Sequence, residues 1–173
     1  MTLAATARYD SLIRYYFERA AERYHFDEGV SYRLIVAQVR QESGFDPDAV
    51  SPVGARGLLQ IMPTTWGPGF EADAFNPEKN LAKGIAHLGY LWDMFKAEQG
   101  HERWRFALGA YNAGQGNVIS AQKMLTKAGR QTDQWAEIAQ MLPAITGPAN
   151  AQQTTHYVRV VYAEYLATQG EAP

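Results

Sequence analysis

Apolar residues recur along most of this chain at spacings of three and four, and nowhere do they alternate convincingly at period two. That pattern confines the fold to packed helices, because a 3.6-residue turn returns a side chain to the same face only at those intervals. The clearest case follows Asn76-Pro77-Glu78, a cap followed by proline at the first helical position, where the missing N–H costs nothing. Leu81, Ile85, Leu88, Trp92 and Phe95 then line one face of a long helix. An earlier helix over residues 6–25 carries Leu12, Ile13, Tyr16, Phe17, Ala20 and Tyr24, and Asp27-Glu28-Gly29 ends it. Ser31 reads as the N-cap of the next helix, whose stripe is Leu34, Ile35, Gln38 and Val39, with Gly44 and Pro47 as its stop. Helices are also expected over residues 102–111, 116–127 and 153–168, with a short one after Thr132. Residues 46–68 read as loops with short helical turns, and residues 141–152, holding Pro143, Gly147 and Pro148, read as loop. No Asn-Gly or Asp-Gly hairpin turn is present, so the class is all-α.

The 173 residues suit one domain spanning 1–173, with residues 1–30 as an N-terminal helical extension packed on it. Sixteen basic against eighteen acidic residues leave a net charge of −2, without the basic excess that a nucleic-acid partner calls for. No apolar run reaches the roughly 18 residues of a membrane span, and the N-terminus does not read as a secretory signal. Cysteine is absent and the four histidines, His25, His87, His101 and His156, lack ligand spacing, so neither a metal nor an organic cofactor is expected. A monomer is expected. Trp66 and Trp92 read as core rings before sugar platforms.

Glu42 stands apart. On a helical wheel it falls about 20° from Ile35 and about 40° from Gln38, so an ionisable carboxyl continues an apolar stripe at a helix C-terminus. Burial and the negative helix end both favour its protonated form. A carboxylic acid that holds its proton near neutral pH is what glycoside cleavage requires at the leaving oxygen. A Glu at a helix end can equally reach into solvent, and Ser43 beside it can be an ordinary helix-end polar residue.

The surroundings narrow the choice. Gln41-Glu42-Ser43-Gly44-Phe45-Asp46-Pro47 is followed by Gly54-Ala55-Arg56-Gly57-Leu58-Leu59-Gln60-Ile61-Met62-Pro63, then by Ala110-Tyr111-Asn112-Ala113-Gly114, and near the end by Gln153-Thr154-Thr155-His156-Tyr157-Val158. In this order, from about Ser31 to Tyr165, they resemble the lytic transglycosylase family of the goose-lysozyme-like type, the soluble lytic transglycosylase catalytic domain. The resemblance implies a lysozyme-like helical domain with a substrate cleft, acting on peptidoglycan glycan strands in the bacterial cell wall, the periplasm. It implies Glu42 as the single catalytic acid and base. Ser43, Gly57, Leu59, Gln60, Tyr111, Asn112 and Tyr157 are then the substrate-binding positions, with Tyr157 reaching towards Glu42. Leu59 stands where the family often has Met, and Gln153 where it often has Glu.

Most glycosidases use two carboxylates. Here the nearby alternatives are Asp46 and Asp48, and Asp46, before Pro47, reads as a loop cap. The reaction that the resemblance implies cleaves the β-1,4 bond between N-acetylmuramic acid and N-acetylglucosamine and leaves a 1,6-anhydromuramoyl end. A goose-type muramidase giving the hydrolytic product, and a non-catalytic peptidoglycan-binding or structural module, are the alternatives. With no signal read at the N-terminus, a bacteriolytic phage protein or one exported by a secretion apparatus is the expected origin.

Overall fold

The structure, a computed structural model, describes residues 3–27 and 29–170. Residues 1, 2, 28 and 171–173, which the one-domain expectation includes, lie outside the described residues, as does Glu28 in the expected first stop. The helices in chain order are α1 (Leu3–Tyr24), α2 (Arg33–Ser43), α3 (Pro63–Trp66), α4 (Phe70–Asp73), α5 (Pro77–Met94), α6 (Gly100–Ala113), α7 (Gln115–Lys127), α8 (Trp135–Thr146) and α9 (Pro148–Ala167), closed by a 3₁₀ turn over Thr168–Gly170. Among the described residues the only extended pairing is two isolated bridges, Val50 with Arg56 and Arg56 with Ile61. The all-α class read from periodicity is the class observed.

The chain forms two compact units. One holds Met1–Gly89 and Glu164–Pro173, the other Tyr90–Ala163, so the boundaries fall inside α5 and α9. In the first unit α1 packs on α2. Its core gathers Ile13 and Phe17 from α1, Leu34, Ile35 and Val39 from α2, Leu58, Leu59 and Ile61 from the following loop, and Leu81, Ile85 and Leu88 from α5. Apart from the three loop residues these are the stripe residues of three helices, and burying them supplies the driving force that isolated helices of this length lack. In the second unit α6, α7 and α8 pack against one another. Trp104 lies 4.2 Å, centre to centre, from Trp92, and the Arg103 guanidinium stacks 3.9 Å above the Trp92 ring. Gly109 makes room for Trp135, since a Cβ there would stand 2.0 Å from the indole.

Two local readings are corrected. Ser31 does not cap α2: Tyr32 is the N-cap residue, itself in the helical region, without a side-chain cap bond, and the Ser31 carbonyl accepts from Leu34 N–H at 3.1 Å. Residues 141–146 and 148–152 are helix, not loop. α8 runs through Pro143, because Trp135, Ile138 and Leu142 are buried at helical spacing against α6 and α7, and this outweighs one lost backbone bond. Gly147, at φ 83°, is a one-residue break, and Pro148 starts α9 where proline is tolerated.

Candidate active site

Glu42 and Ser43 are the last two residues of α2, both half-buried. The helix stops because Gly44 adopts φ 63° and returns its N–H to the Arg40 carbonyl at 3.1 Å. Phe45 follows at φ 67° and is buried, so two consecutive left-handed residues turn the chain at the end of α2. Ser43 Oγ donates to the Leu58 carbonyl at 2.9 Å and also lies 3.3 Å from the Val39 carbonyl. Its hydroxyl thus ties the end of α2 to the Gly54–Pro63 segment. Arg40 pairs with Glu164, donates to Thr6 Oγ1 at 3.4 Å and stacks 5.8 Å over Phe45, which holds the same end of the helix. Asp46 Oδ1 accepts the Asp48 N–H at 2.9 Å, a local turn bond of the kind expected of a loop cap.

The loop that follows is organised by Asn80. This side chain is wholly buried, yet every polar group has a partner: Nδ2 donates to Ala74 O (2.9 Å) and Arg56 O (3.0 Å), and Oδ1 accepts from Leu59 N (2.8 Å). Gly57, at φ 76°, lies so close that a Cβ would stand 2.3 Å from Asn80 Nδ2 and 2.5 Å from Ala74 O. Leu59 is fully buried, and its side chain covers Gly84. Leu59 therefore packs the inside of the loop, with its N–H given to Asn80 Oδ1. Gln60 adopts φ 44°, unusual for a residue with a side chain. Its Nε2 donates to Gly57 O (2.9 Å) and Ala49 O (3.1 Å). Both amide hydrogens are spent holding the loop, which leaves Oε1 as the group that can serve a ligand, as an acceptor.

In the second unit Asn112, in the last turn of α6, accepts a hydrogen bond on Oδ1 from the buried Thr154 of α9 at 2.8 Å. Tyr111 is half-buried beside it, and Tyr157, one turn beyond Thr154, is buried, 4% exposed. Along α9 lies an open cavity of about 570 Å³, lined by Gln152, Gln153, Thr155, His156 and Arg159 among others.

The structure therefore brings Glu42, Ser43, Gly57, Leu59 and Gln60 together in one unit, and Tyr111, Asn112 and Tyr157 in the other. Asn80 and Thr154 were not singled out as site residues from the sequence. The available signal for Asn80 was its place in a row with Gly84 and Leu88, a polar residue on a packed face. Among the described residues no group of three acidic or histidine side chains is placed to hold a metal ion, and no helix is long and apolar enough to cross a membrane.

An all-helical domain of lysozyme-like architecture, with a Glu-Ser pair closing one helix and a glycine-rich loop bonded to it, is the class these features define. The family model for the transglycosylase SLT domain matches residues 16–134. The chain belongs to that family. It is 36% identical over 135 residues to a membrane-bound lytic murein transglycosylase F from Maricaulis maris, covering 78% of this chain and 29% of that protein. A protein of the same description from Desulfosudis oleivorans is 34% identical over 157 residues, covering 87% of this chain and 34% of the other. The chain thus spans about a third of the length of these curated relatives. Among solved structures, the 70 kDa soluble lytic transglycosylase of Escherichia coli superposes with a TM-score of 0.67 at 26% identity, over 94% of this chain and 24% of that one. The lytic transglycosylase Slt of Pseudomonas aeruginosa, solved as an inactive mutant with glutamine in place of a glutamate, gives 0.63 at 28% identity, over 91% of this chain and 24% of that one.

Proposed function

We propose that this chain is a peptidoglycan lytic transglycosylase acting at the bacterial cell wall. It would cleave the β-1,4 bond between N-acetylmuramic acid and N-acetylglucosamine, with Glu42 as its single acid and base. The observation that carries this reading is the Ser43–Leu58 bond, which fastens the Glu42 turn to the loop bearing Gln60. Membership of the family and the inactive glutamate-to-glutamine form of a solved relative support it.

Glu42 in its protonated form gives its proton to the glycosidic oxygen as the bond to C1 of the muramic acid breaks. The 2-acetamido oxygen of the same sugar covers the developing cation, the role a second carboxylate has in most glycosidases. Glu42, now a carboxylate, takes the proton of the C6 hydroxyl, whose oxygen closes on C1 to give the 1,6-anhydro ring. One proton leaves and one returns, so the enzyme ends as it began and no water is consumed. Intramolecular closure gains from proximity, an effect worth several kcal/mol in well-oriented systems (roughly 7–11 at the limit). A water-using enzyme of inverting type needs a base on the opposite sugar face, and Asp46 is committed to its own turn.

Gln60 Oε1 would accept from the saccharide, and Tyr111 and Asn112 are further proposed sugar contacts. Mass spectrometry of digested sacculi tests the reaction. Muropeptides lighter by one water and resistant to borohydride are expected. Full-mass, reducible products would make the enzyme a muramidase, and no release of muropeptides would make the chain a binding module.

A further inference from the structure

Thr154 lies on the buried face of α9 with Ala151, Tyr157, Val158 and Val161, and is 2% exposed. A valine has nearly the same outline and no polar atom, so packing gives no reason for a hydroxyl here. A threonine inside a helix ordinarily returns its hydroxyl to the carbonyl one turn back. Thr126, Thr146 and Thr155 do so, donating to the Gln122, Leu142 and Ala151 carbonyls at 2.9, 3.1 and 2.9 Å. Thr154 instead donates across to α6, to Asn112 Oδ1 at 2.8 Å.

That bond fixes which way round the amide stands. A hydroxyl carries one hydrogen, and with it given to Oδ1 the Asn112 nitrogen is turned away from Thr154. Among the described residues nothing accepts from this Nδ2, yet it is not one of the side-chain atoms shut off from solvent. Its two hydrogens are therefore offered outward from the last turn of α6. Carbonyls at that helix end are met by other groups: Gly114 N–H returns to Ala110 O at 2.9 Å, and Asn117 Nδ2 donates to Ala113 O at 2.8 Å. A Cβ on Gly114 would meet nothing within 4 Å, so room lies open beside this turn. An amide donor selects an acceptor oxygen. On a peptidoglycan strand the groups that can only accept are amide carbonyls, those of the 2-acetamido groups and that joining the lactyl group to the stem peptide, whereas hydroxyls serve either role.

We propose that Thr154 is a positioning residue for Asn112, its buried hydroxyl holding the amide so that Nδ2 donates to an amide carbonyl of the glycan strand. This rests on the reading of the chain as a peptidoglycan-cleaving enzyme. Binding of a soluble peptidoglycan fragment is measured by calorimetry on the full chain carrying Glu42→Gln, so that the probe is not consumed. Asn112→Asp keeps an oxygen for the Thr154 hydroxyl and puts an acceptor where the donor stood. It is expected to weaken binding about tenfold, the order that one hydrogen bond is worth. An amide standing the other way round would tolerate Asp, so binding within about twofold of the unsubstituted protein overturns the proposal. Thr154→Val removes the hydroxyl alone and is expected to weaken binding about three- to tenfold, and Thr154→Ser, which returns the hydroxyl, to recover it. A threonine with a structural role alone would move the unfolding temperature and leave the affinity of the folded molecule unchanged, and that outcome overturns the positioning role. If Thr154→Val does not fold, Thr154→Ala takes its place with the same expected and overturning results. Two further probes tell which carbonyl is met: a chitooligosaccharide has acetamido groups and no stem, and a de-N-acetylated fragment has the stem and no acetamido group. A loss on Asn112→Asp confined to the first assigns the acetamido carbonyl, one confined to the second assigns the stem carbonyl, and any other pattern overturns the donor role. Unchanged binding by both the Asn112 and the Thr154 variants removes this proposal alone. A parent chain that neither binds nor cleaves peptidoglycan removes the reading beneath it and this proposal as well.

Discussion

Gln60 spends both amide hydrogens on the loop carbonyls of Ala49 and Gly57, Ser43 is bonded to Leu58, and Asn80 joins Arg56, Leu59 and Ala74. Glu42 was legible in the sequence because an acid on an apolar stripe is conspicuous, and the motif around it gave it a role. Glu42→Gln is expected to fold with an unchanged unfolding curve and to lose glycan cleavage by orders of magnitude, since an amide cannot give and retake the proton; activity within tenfold of the parent would refute the assignment. Asn80 was not legible as a hub, because its three partners lie 6 to 24 residues away in sequence and only folding collects them. Asn80→Leu leaves two carbonyls and one N–H without their partner, and should cost about 2–4 kcal/mol in a denaturant titration. A loss below about 0.5 kcal/mol would show that the loop finds other partners.

At the level of elements, the instructive case is α8. Proline and glycine between residues 143 and 148 read as loop by local chemistry, yet helix runs up to Gly147 and resumes at once. Local preference lost to packing: Trp135 fits the space left at Gly109, and its backbone N–H donates to Glu102 Oε2 at 2.6 Å, which fixes the start of the helix. Its buried stripe then carries the chain through Pro143. That residue is exposed, so its ring contributes little packing while its missing N–H leaves a gap in the ladder. Pro143→Ala should therefore stabilise the protein by about 1–3 kcal/mol, read as a raised denaturation midpoint with an unchanged slope. No gain, or a loss, would mean that the proline shapes the helix end instead.

For the molecule as a whole, the buried Glu98 and the half-buried His87 tilt stability with pH in opposite senses. Burial raises the carboxyl of Glu98 above its ordinary 4.5, although Gln122 Nε2 donates to it at 2.8 Å and Arg103 also favours the charge; Asp133 opposes it. The folded protein holds this proton more tightly than the unfolded chain, so the associated stability is present below 4.5 and is lost as pH rises through the folded value. His87 is the reverse. Burial, then Lys83, lowers it from 6.5, so its contribution is present above 6.5 and is lost as pH falls through the folded value. Glu98→Gln, which retains an acceptor for Gln122, should match the parent at about pH 4 and exceed it at about pH 7 in unfolding midpoint. Parallel curves for the two proteins across that range would show that Glu98 titrates alike in both states.

The sequence by itself determined the helical class, the helix that ends in Glu42 and Ser43, and the family motifs, because each is written in residues close together along the chain. Periodicity of 3.6, a glycine stop and a Glu-Ser pair need no distant partner to be read. The tertiary structure decided the rest. Only folding shows that Leu59 is buried with its N–H given to Asn80, that Gln60 retains an acceptor alone, that Asn80 and Thr154 hold the segments carrying the site, and that Gln38 is enclosed without a partner among the described residues. The physical reason is common to all four. Hydrogen-bond satisfaction in a core is settled between segments far apart in sequence, and no local pattern records which carbonyl or N–H an amide will meet.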